Sequence, residues 1–366
     1  MIPQLRIGIN ALYLIPGEVG GTEIYLRNLL DGLSQIDRHN DYYVFTNRET
    51  DADLLPAVPN FHLISEPVRA VFRPYRLLWE QTVLPSRALS MGLDCLFNPG
   101  FTSPILAPCP TVTVFHDLQH KRHPEHFRRI DLPFWKMFLY SSALRSSRII
   151  AVSEPTKTDL LHYYKLPEDK VRVIPLGVED AFFKIGERSR SPGDFLLCVS
   201  TLHPHKNLER LIRAFYAFRQ SQPDFRLIIA GMKGFHTAIL ERMAGDAVQL
   251  TGWIPREDLY NLYARAAGFI YPSTFEGFGL PILEAMAAQV PLACSAIEPL
   301  QSIAGAGALL FDPSDERAMT CAMHQLVSDG ESRAHRTAAA VERAREFTWK
   351  ATAVRTLAVI RETLAQ

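Results

Sequence analysis

Tyr271-Pro-Ser-Thr-Phe-Glu276-Gly-Phe-Gly-Leu-Pro281-Ile-Leu-Glu284-Ala-Met-Ala287 decides how this chain folds. The apolar run Ala267-Gly-Phe-Ile-Tyr271 before the loop reads as a buried strand. Gly277 and Gly279 let the loop backbone come close to another molecule. Pro281 suits the first helical position, because its missing N–H would be unpaired there anyway. The next N–H groups then point at the loop, where they favour an anion. Glu276 stands on the loop and Glu284 follows eight residues later, just inside the helix.

The pattern extends in both directions. Towards the N-terminus, strands are expected at Arg6–Leu12, Tyr42–Thr46, Asp94–Asn98, Thr111–Phe115 and Arg148–Ser153, and Val171–Gly177 ends the first unit. A helix is expected from Thr22 to Ser34, with Thr22 as its N-cap, after the loop that ends in Gly20-Gly21. The segment Lys184–Asp194 has a linker's composition. The alternation restarts with strands at Phe195–Ser200, Phe225–Ala230, Val248–Leu250 and Pro291–Cys294, helices at Asn207–Arg219 and about Asp258–Ala266, and an amphipathic last helix from Trp349 to Leu364. Strand–helix alternation of this kind implies parallel sheets covered on both faces. The expected architecture is α/β: two doubly wound Rossmann-like domains, 1–183 and 184–348, facing a central cleft, with 349–366 crossing back to the first.

Length and composition narrow the class. The chain has 366 residues, 47% apolar and 21% charged, with a formal charge of zero, which suits a two-domain soluble enzyme and gives no basic signature for nucleic acid. The five cysteines are scattered and odd in number, as expected of reduced cytoplasmic thiols. The start runs directly into a strand, and no apolar run is long enough to span a bilayer. No Gly-x-Gly-x-x-Gly follows the first strand of either half, which disfavours a nicotinamide enzyme. His116, His120, His123 and His126 are irregularly spaced, so no metal site is expected.

Several residues stand where α/β sites form. Lys206 lies between a strand and a helix and presents a point charge to a phosphate. Gly20-Gly21 precedes a helix N-terminus. His116-Asp117 ends a strand; Asp117 either accepts the His116 ring N–H or accepts from loop backbone N–H groups. Two carboxylates around a phosphate-sized positive pocket describe a nucleotide-sugar site.

The combination of Gly20-Gly21, His116-Asp117, Lys206-Asn207 and Glu276…Glu284 resembles the retaining glycosyltransferases of family four, which share the GT-B architecture. Ser200-Thr-Leu-His-Pro-His-Lys206-Asn207-Leu and Thr251-Gly-Trp-Ile-Pro255 carry the same resemblance. Arg76-Leu-Leu-Trp79-Glu80-Gln81 is similar to a bacterial subgroup that builds surface polysaccharide, often mannosyltransferases. The resemblance implies that His116, Lys206 and Glu276 are catalytic, with Glu276 on sugar hydroxyls and Glu284 on the ribose. It implies a donor set of Gly20, Gly21, Thr201, His205, Lys206, Asn207, Gly231, Trp253, Ile254, Glu276, Gly277, Phe278, Gly279, Leu280 and Glu284. The expected co-substrate is a nucleoside diphosphate sugar, GDP-mannose first and a UDP-hexose second, with no tightly bound cofactor and no required metal. The expected acceptor is a glycan or lipid-linked glycan.

The chain departs from the family at His205, where an Arg is usual, and at Ser302 and Ala306, where Glu and Asp are common. Two rivals remain open: a nucleotide-sugar epimerase of similar fold, and a sugar-binding regulatory protein. Arg69–Trp79 and Lys121–Arg148 mix basic and aromatic residues. They read either as contacts with the inner face of the cell membrane or as ordinary helices with a solvated face.

Overall fold

A computed structural model describes residues 3–127, 129, 131–187, 192–234, 236–328 and 330–365. Arg128 of the basic–aromatic stretch and residues 188–191 of the expected linker lie outside the described residues. The chain divides into two units, Met1–Gly177 with Trp349–Gln366, and Val178–Thr348. Each is a parallel sheet with helices packed on it.

The first unit runs β1 (Arg6–Asn10), α1 (Gly21–Ile36), β2 (Asp41–Thr46), β3 (Phe61–Ser65), α2 (Arg73–Ser90), β4 (Cys95–Asn98), β5 (Thr111–Phe115), α3 (Gln119–Arg122), α4 (Leu132–Arg145), β6 (Arg148–Ala151), α5 (Glu154–Tyr164) and β7 (Val171–Val173). Its seven strands lie in the order β3-β2-β1-β4-β5-β6-β7, all parallel. The order reverses between β1 and β4. Helix α2 is buried at Arg76, Glu80, Leu84 and Ala88, one residue per turn, while Phe72, Tyr75 and Leu78 are exposed. This phase divides the expected membrane segment: Arg76 is a core residue, while Arg73 and Tyr75 meet solvent.

The second unit begins with α6 (Asp180–Gly186) and continues β8 (Phe195–Val199), α7 (Leu208–Arg219), β9 (Arg226–Ala230), α8 (Thr237–Ala244), β10 (Val248–Gly252), α9 (Arg256–Arg265), β11 (Gly268–Tyr271), α10 (Leu280–Ala287), β12 (Leu292–Ser295), α11 (Leu300–Ala304), β13 (Ala308–Phe311), α12 (Glu316–Ser328) and α13 (Glu331–Ala344). Its six strands lie in the order β10-β9-β8-β11-β12-β13, again all parallel, with the reversal between β8 and β11. The expected boundary at 183/184 falls inside α6, because Phe182 sets its ring edge-on to Tyr260 and Tyr263 at 5.1 Å each and so belongs to the second core.

Helix α14 (Trp349–Leu364) returns to the first unit and packs on α1. The crossing is close at Gly32, where a Cβ would lie 2.8 Å from the Trp349 carbonyl oxygen. The Thr352 hydroxyl donates to the Pro175 carbonyl at 2.8 Å, and Arg172 Nε donates to Glu362 at 3.2 Å. Both cores are dense in large apolar side chains, each of which contributes about 1.5–3 kcal/mol on burial. Leu12, Phe45, Val68 and Leu84 are in the first, and Phe215, Phe218, Phe269 and Ile282 in the second.

Candidate active site

The second unit carries Lys206 and Glu276 on the loops after β8 and β11, the two strands that flank its reversal point. Open parallel sheets bind ligands in the crevice outside such strand ends. Gly231, at φ +149°, follows β9, and a Cβ there would stand 2.1 Å from the Ser200 oxygen. Only glycine lets these two strand exits run so close together. The β8 loop then makes a single 3-10 turn over Pro204–Lys206 and ends at Asn207 in the left-handed region, φ 56°.

Lys206 Nζ lies 2.6 Å from Glu276 Oε1 and donates to the Tyr271 hydroxyl at 3.1 Å. The side chains of Lys206 and Glu276 are only 12% and 9% exposed, so each charge needs the other. Burial, followed by the charge of Glu276, raises the Tyr271 hydroxyl well above its ordinary value. The two loops are stitched together: Thr274 donates its N–H (2.8 Å) and its hydroxyl (3.1 Å) to the His205 carbonyl. The Asn207 amide nitrogen donates to the carbonyls of Pro272 (3.1 Å) and Pro313 (2.7 Å), and its oxygen accepts from Arg210 (3.1 Å). The Asn207 side chain thus braces the two loops from within the protein.

The remaining donor-set residues divide by what they touch. Gly279, φ +120°, precedes α10, and a Cβ there would meet Leu300 at 2.5 Å. Pro281 takes the second helical position, not the first. Phe278 is buried edge-on to Phe347 at 6.1 Å, and Leu280 is also buried; both anchor the loop from below. Gly277, Thr201 and Ile254 are half-buried, and Trp253 is an exposed aromatic beyond β10.

Glu284 is 4% exposed. Burial raises its carboxyl above the ordinary value, while Arg256 pulls the other way. Arg256 Nη2 donates to Glu284 Oε1 at 3.1 Å and the Tyr263 hydroxyl to Oε2 at 2.8 Å. Arg256 also pairs with Glu179, which accepts from the Tyr260 hydroxyl at 2.6 Å. Burial opposes the charge on Arg256, but Glu284 and Glu179 hold it on. The sequence reading missed this network. Its one signal was the spacing of Arg256, Tyr260 and Tyr263, which places all three on one face of α9.

In the first unit, the N-cap of α1 is Gly20 (φ 59°), not Thr22, whose hydroxyl turns back to the Val19 carbonyl at 2.9 Å. Gly21 is exposed, and a Cβ there would touch nothing within 4 Å. His116, at the end of β5, places Nε2 2.8 Å from the Pro99 carbonyl. A carbonyl only accepts, so Nε2 carries the proton and Nδ1 keeps a lone pair. Burial pushes the ring down to about 4, against the Pro99 bond, so it is neutral at pH 7. Tyr25 and Phe101 meet it edge-on at 5.0 and 5.1 Å. Phe101 adopts φ 70°, a conformation that costs about 1–3 kcal/mol and gathers at functional sites. Asp117 accepts from the Gln119 N–H at 2.8 Å, the backbone one of its two alternatives. Further along, His123, Glu125 and His126 bring ligand atoms within 4.8 Å of one another, a proximity their spacing did not suggest.

Among the described residues no helix is long and apolar enough to cross a membrane. All five cysteines are free, and burial pushes Cys198 and Cys294 up to about 12.

Comparison with known proteins fits both halves. Residues 19–182 match Glycosyltransferase Family 4 and residues 180–343 match Glycosyl transferases group 1. The chain is 29% identical to the O-antigen chain mannosyltransferase B of Escherichia coli over 259 residues, 65% of this chain and 67% of the relative. Among solved structures, sucrose-phosphate synthase from Thermosynechococcus elongatus superposes with a TM-score of 0.78 at 20% identity, covering 99% of this chain and all of that one. Anabaena Alr3699/HepE in complex with UDP and glucose gives 0.73 at 17%, over 98% and 100%. With a family-four domain followed by a group 1 domain, each a parallel sheet of Rossmann type, the chain belongs to the GT-B glycosyltransferases.

Proposed function

We propose that this enzyme moves mannose from GDP-mannose to a hydroxyl of a glycan or lipid-linked acceptor in surface-polysaccharide synthesis, with retention of anomeric configuration. The observation that carries the reading is the largely buried Lys206–Glu276 pair at the reversal point of the group 1 domain. A donor sugar offers hydroxyls to Glu276 and its diphosphate offers charge to Lys206, so one ligand replaces the partner each residue has in the other. Hydrogen bonds to charged groups are worth roughly 1.5–3 kcal/mol each, enough to offset parting the pair. The mannosyltransferase named among the relatives supports mannose as the sugar, and the complex with UDP and glucose supports a nucleoside diphosphate as its carrier.

In the proposed chemistry the anomeric carbon–phosphate oxygen bond breaks while the acceptor oxygen bonds the same face of that carbon. The acceptor proton passes to the departing phosphate oxygen. Lys206 and the N-terminus of α10 stabilise the diphosphate, so transfer persists in the presence of a chelator. One observation favours the departing phosphate as the proton acceptor: His116, at about 4, is too weak a base to take the proton at pH 7. His116 instead accepts a sugar hydroxyl at Nδ1.

We further assign the exposed stripe Phe134, Met137, Tyr140 and Leu144 of α4, with Arg145 beside it, to contact with the anionic inner face of the cell membrane. A thermal-shift screen with GDP, UDP, ADP and their sugars tests the donor, because a ligand of the folded state raises the midpoint by mass action. The largest shift is expected with GDP-mannose. No shift with any nucleotide overturns the reading, and a trapped glycosyl–enzyme adduct overturns the same-face step.

A further inference from the structure

The reversal point of the first sheet, between β1 and β4, is filled by polar side chains. Asn10 and Asn98, the last residues of those strands, share a hydrogen bond of 3.2 Å. Glu80 of α2, 1% exposed, reaches them from the side. Its Oε2 accepts from Asn10 Nδ2 (3.1 Å) and the Thr102 hydroxyl (2.9 Å), and its Oε1 from Gln81 Nε2 (3.3 Å). Glu80 is therefore satisfied three times over by neutral donors.

Arg76, one helical turn earlier on the same face, is not. It is 5% exposed, its Nε is buried without an acceptor, and its side chain enters no hydrogen bond or ion pair among the described residues. Glu80 and Tyr13 are close enough to act on it electrostatically, and neither accepts from it. A fold that needed only filling at this position would keep a methionine or leucine, because a buried charge without hydrogen bonds is destabilising. The surrounding loops are built tightly: the Tyr13 ring lies so near Gly100 that a Cβ there would stand 2.4 Å from it. The Pro99 carbonyl next to Gly100 is the one that orients His116.

We propose that Arg76, with Asn10, Glu80 and Thr102 behind it, is the subsite for the acceptor's saccharide in the family-four domain, its guanidinium donating to hydroxyl or ring oxygens of an uncharged sugar. This deepens the transferase reading and rests on it. A neutral ligand is favoured over a phosphate or carboxylate because the Glu80 carboxylate beside Arg76 would repel an anion, while the further positive charge that acts on Arg76, Arg73, is exposed and screened by solvent.

Saturation-transfer NMR on the full chain tests it, with methyl α-mannoside and methyl α-glucoside as neutral probes and mannose 6-phosphate as the charged one. Wild type is expected to give signals from a neutral pyranoside. R76M should weaken them at least tenfold while melting no lower than wild type; R76K, which keeps the charge without the fork, should lie between. If R76M fails to fold, R76K carries the comparison alone. No signal from either neutral pyranoside in wild type, undiminished signals in the variants, or binding of the phosphate alone would each overturn the proposal. The nucleotide thermal-shift screen of wild type separates these results: no shift with any nucleotide refutes the transferase reading, and a shift confines the failure to this subsite.

Discussion

The two sheets solve the same geometric problem with different chemistry. Each reverses its strand order once, and at each reversal two loops leave the sheet side by side. In the second unit the gap holds a lysine and a glutamate 2.6 Å apart on opposite loops. In the first it holds two asparagines, a glutamate that accepts from one of them, and an arginine whose buried Nε has no acceptor among the described residues. A matched pair suits a ligand that carries both charge and hydroxyls, as a sugar diphosphate does. A net-neutral cluster with idle donors suits hydroxyls alone. Each reversal point fixes a place, and the residue types there choose what can occupy it.

Breaking the pair in the second unit should have the largest effect. Lys206→Ala and Glu276→Ala are each expected to lower kcat/KM at least tenfold, about 1.4 kcal/mol or more of transition-state stabilisation. Each also strands a buried charge, which costs on the order of 3–5 kcal/mol of stability. K206M/E276L should recover the melting temperature and leave transfer dead, separating a binding pair from a structural one. Wild-type turnover in any of the three would remove the pair from the mechanism.

The first unit should respond to Glu80→Gln in stability. The new amide would turn N–H groups towards the donors of Asn10, Thr102 or Gln81, losing about 1–3 kcal/mol by urea unfolding. An unchanged midpoint would mean that the network around Asn10 is not what braces this gap.

Acid should also tell the units apart. His116 and His120 titrate near 4, lowered first by burial, so between about 6.5 and 4 the unfolded chain binds more protons. Their contribution is complete above the unfolded value and is lost as pH falls through that window. Glu284 has the opposite sign: raised by burial, it stabilises most below its unfolded value and loses that contribution as pH rises through its folded one. Melting temperatures from pH 4 to 8 should fall less steeply on the acid side for H116Q/H120Q than for wild type. E284Q should lessen the loss on the side where Glu284 ionises. Parallel curves for all three would place the acid sensitivity elsewhere.

Much of this was legible in the sequence where a local rule fixes the backbone. The strand into Tyr271, the Gly277–Gly279 loop and Pro281 specify one turn, and Glu276 follows from it. Whatever depends on helical phase or on partners distant in sequence was harder to read. Arg73 and Arg76 look alike in a basic–aromatic run, but the phase of α2 puts one at the surface and the other in the core. Asn207 looked like a ligand contact beside Lys206, and only the fold brings up the carbonyls of Pro272 and Pro313 that engage it. Glu284 was found, but its counter-charge Arg256 lies 28 residues away and carries no motif.

The smallest expected effect concerns the glycines, and it probes the reversal points without touching a charge. Gly231 and Gly279 of the second unit are fixed by the protein itself: both have positive φ, and a Cβ would strike Ser200 or Leu300. Gly21 of the first unit has no such reason, since a Cβ there meets open space at the first residue of α1. Gly21→Ala should therefore be neutral or up to about 1 kcal/mol more stable, because alanine has less backbone freedom to lose. If the helix N-terminus approaches the donor phosphates during transfer, the added methyl should raise the KM for GDP-mannose a few-fold while kcat changes less. Kinetics identical to wild type in a protein of equal or higher melting temperature would remove Gly21 from the donor set and leave Gly20, at φ 59°, as the glycine the turn requires.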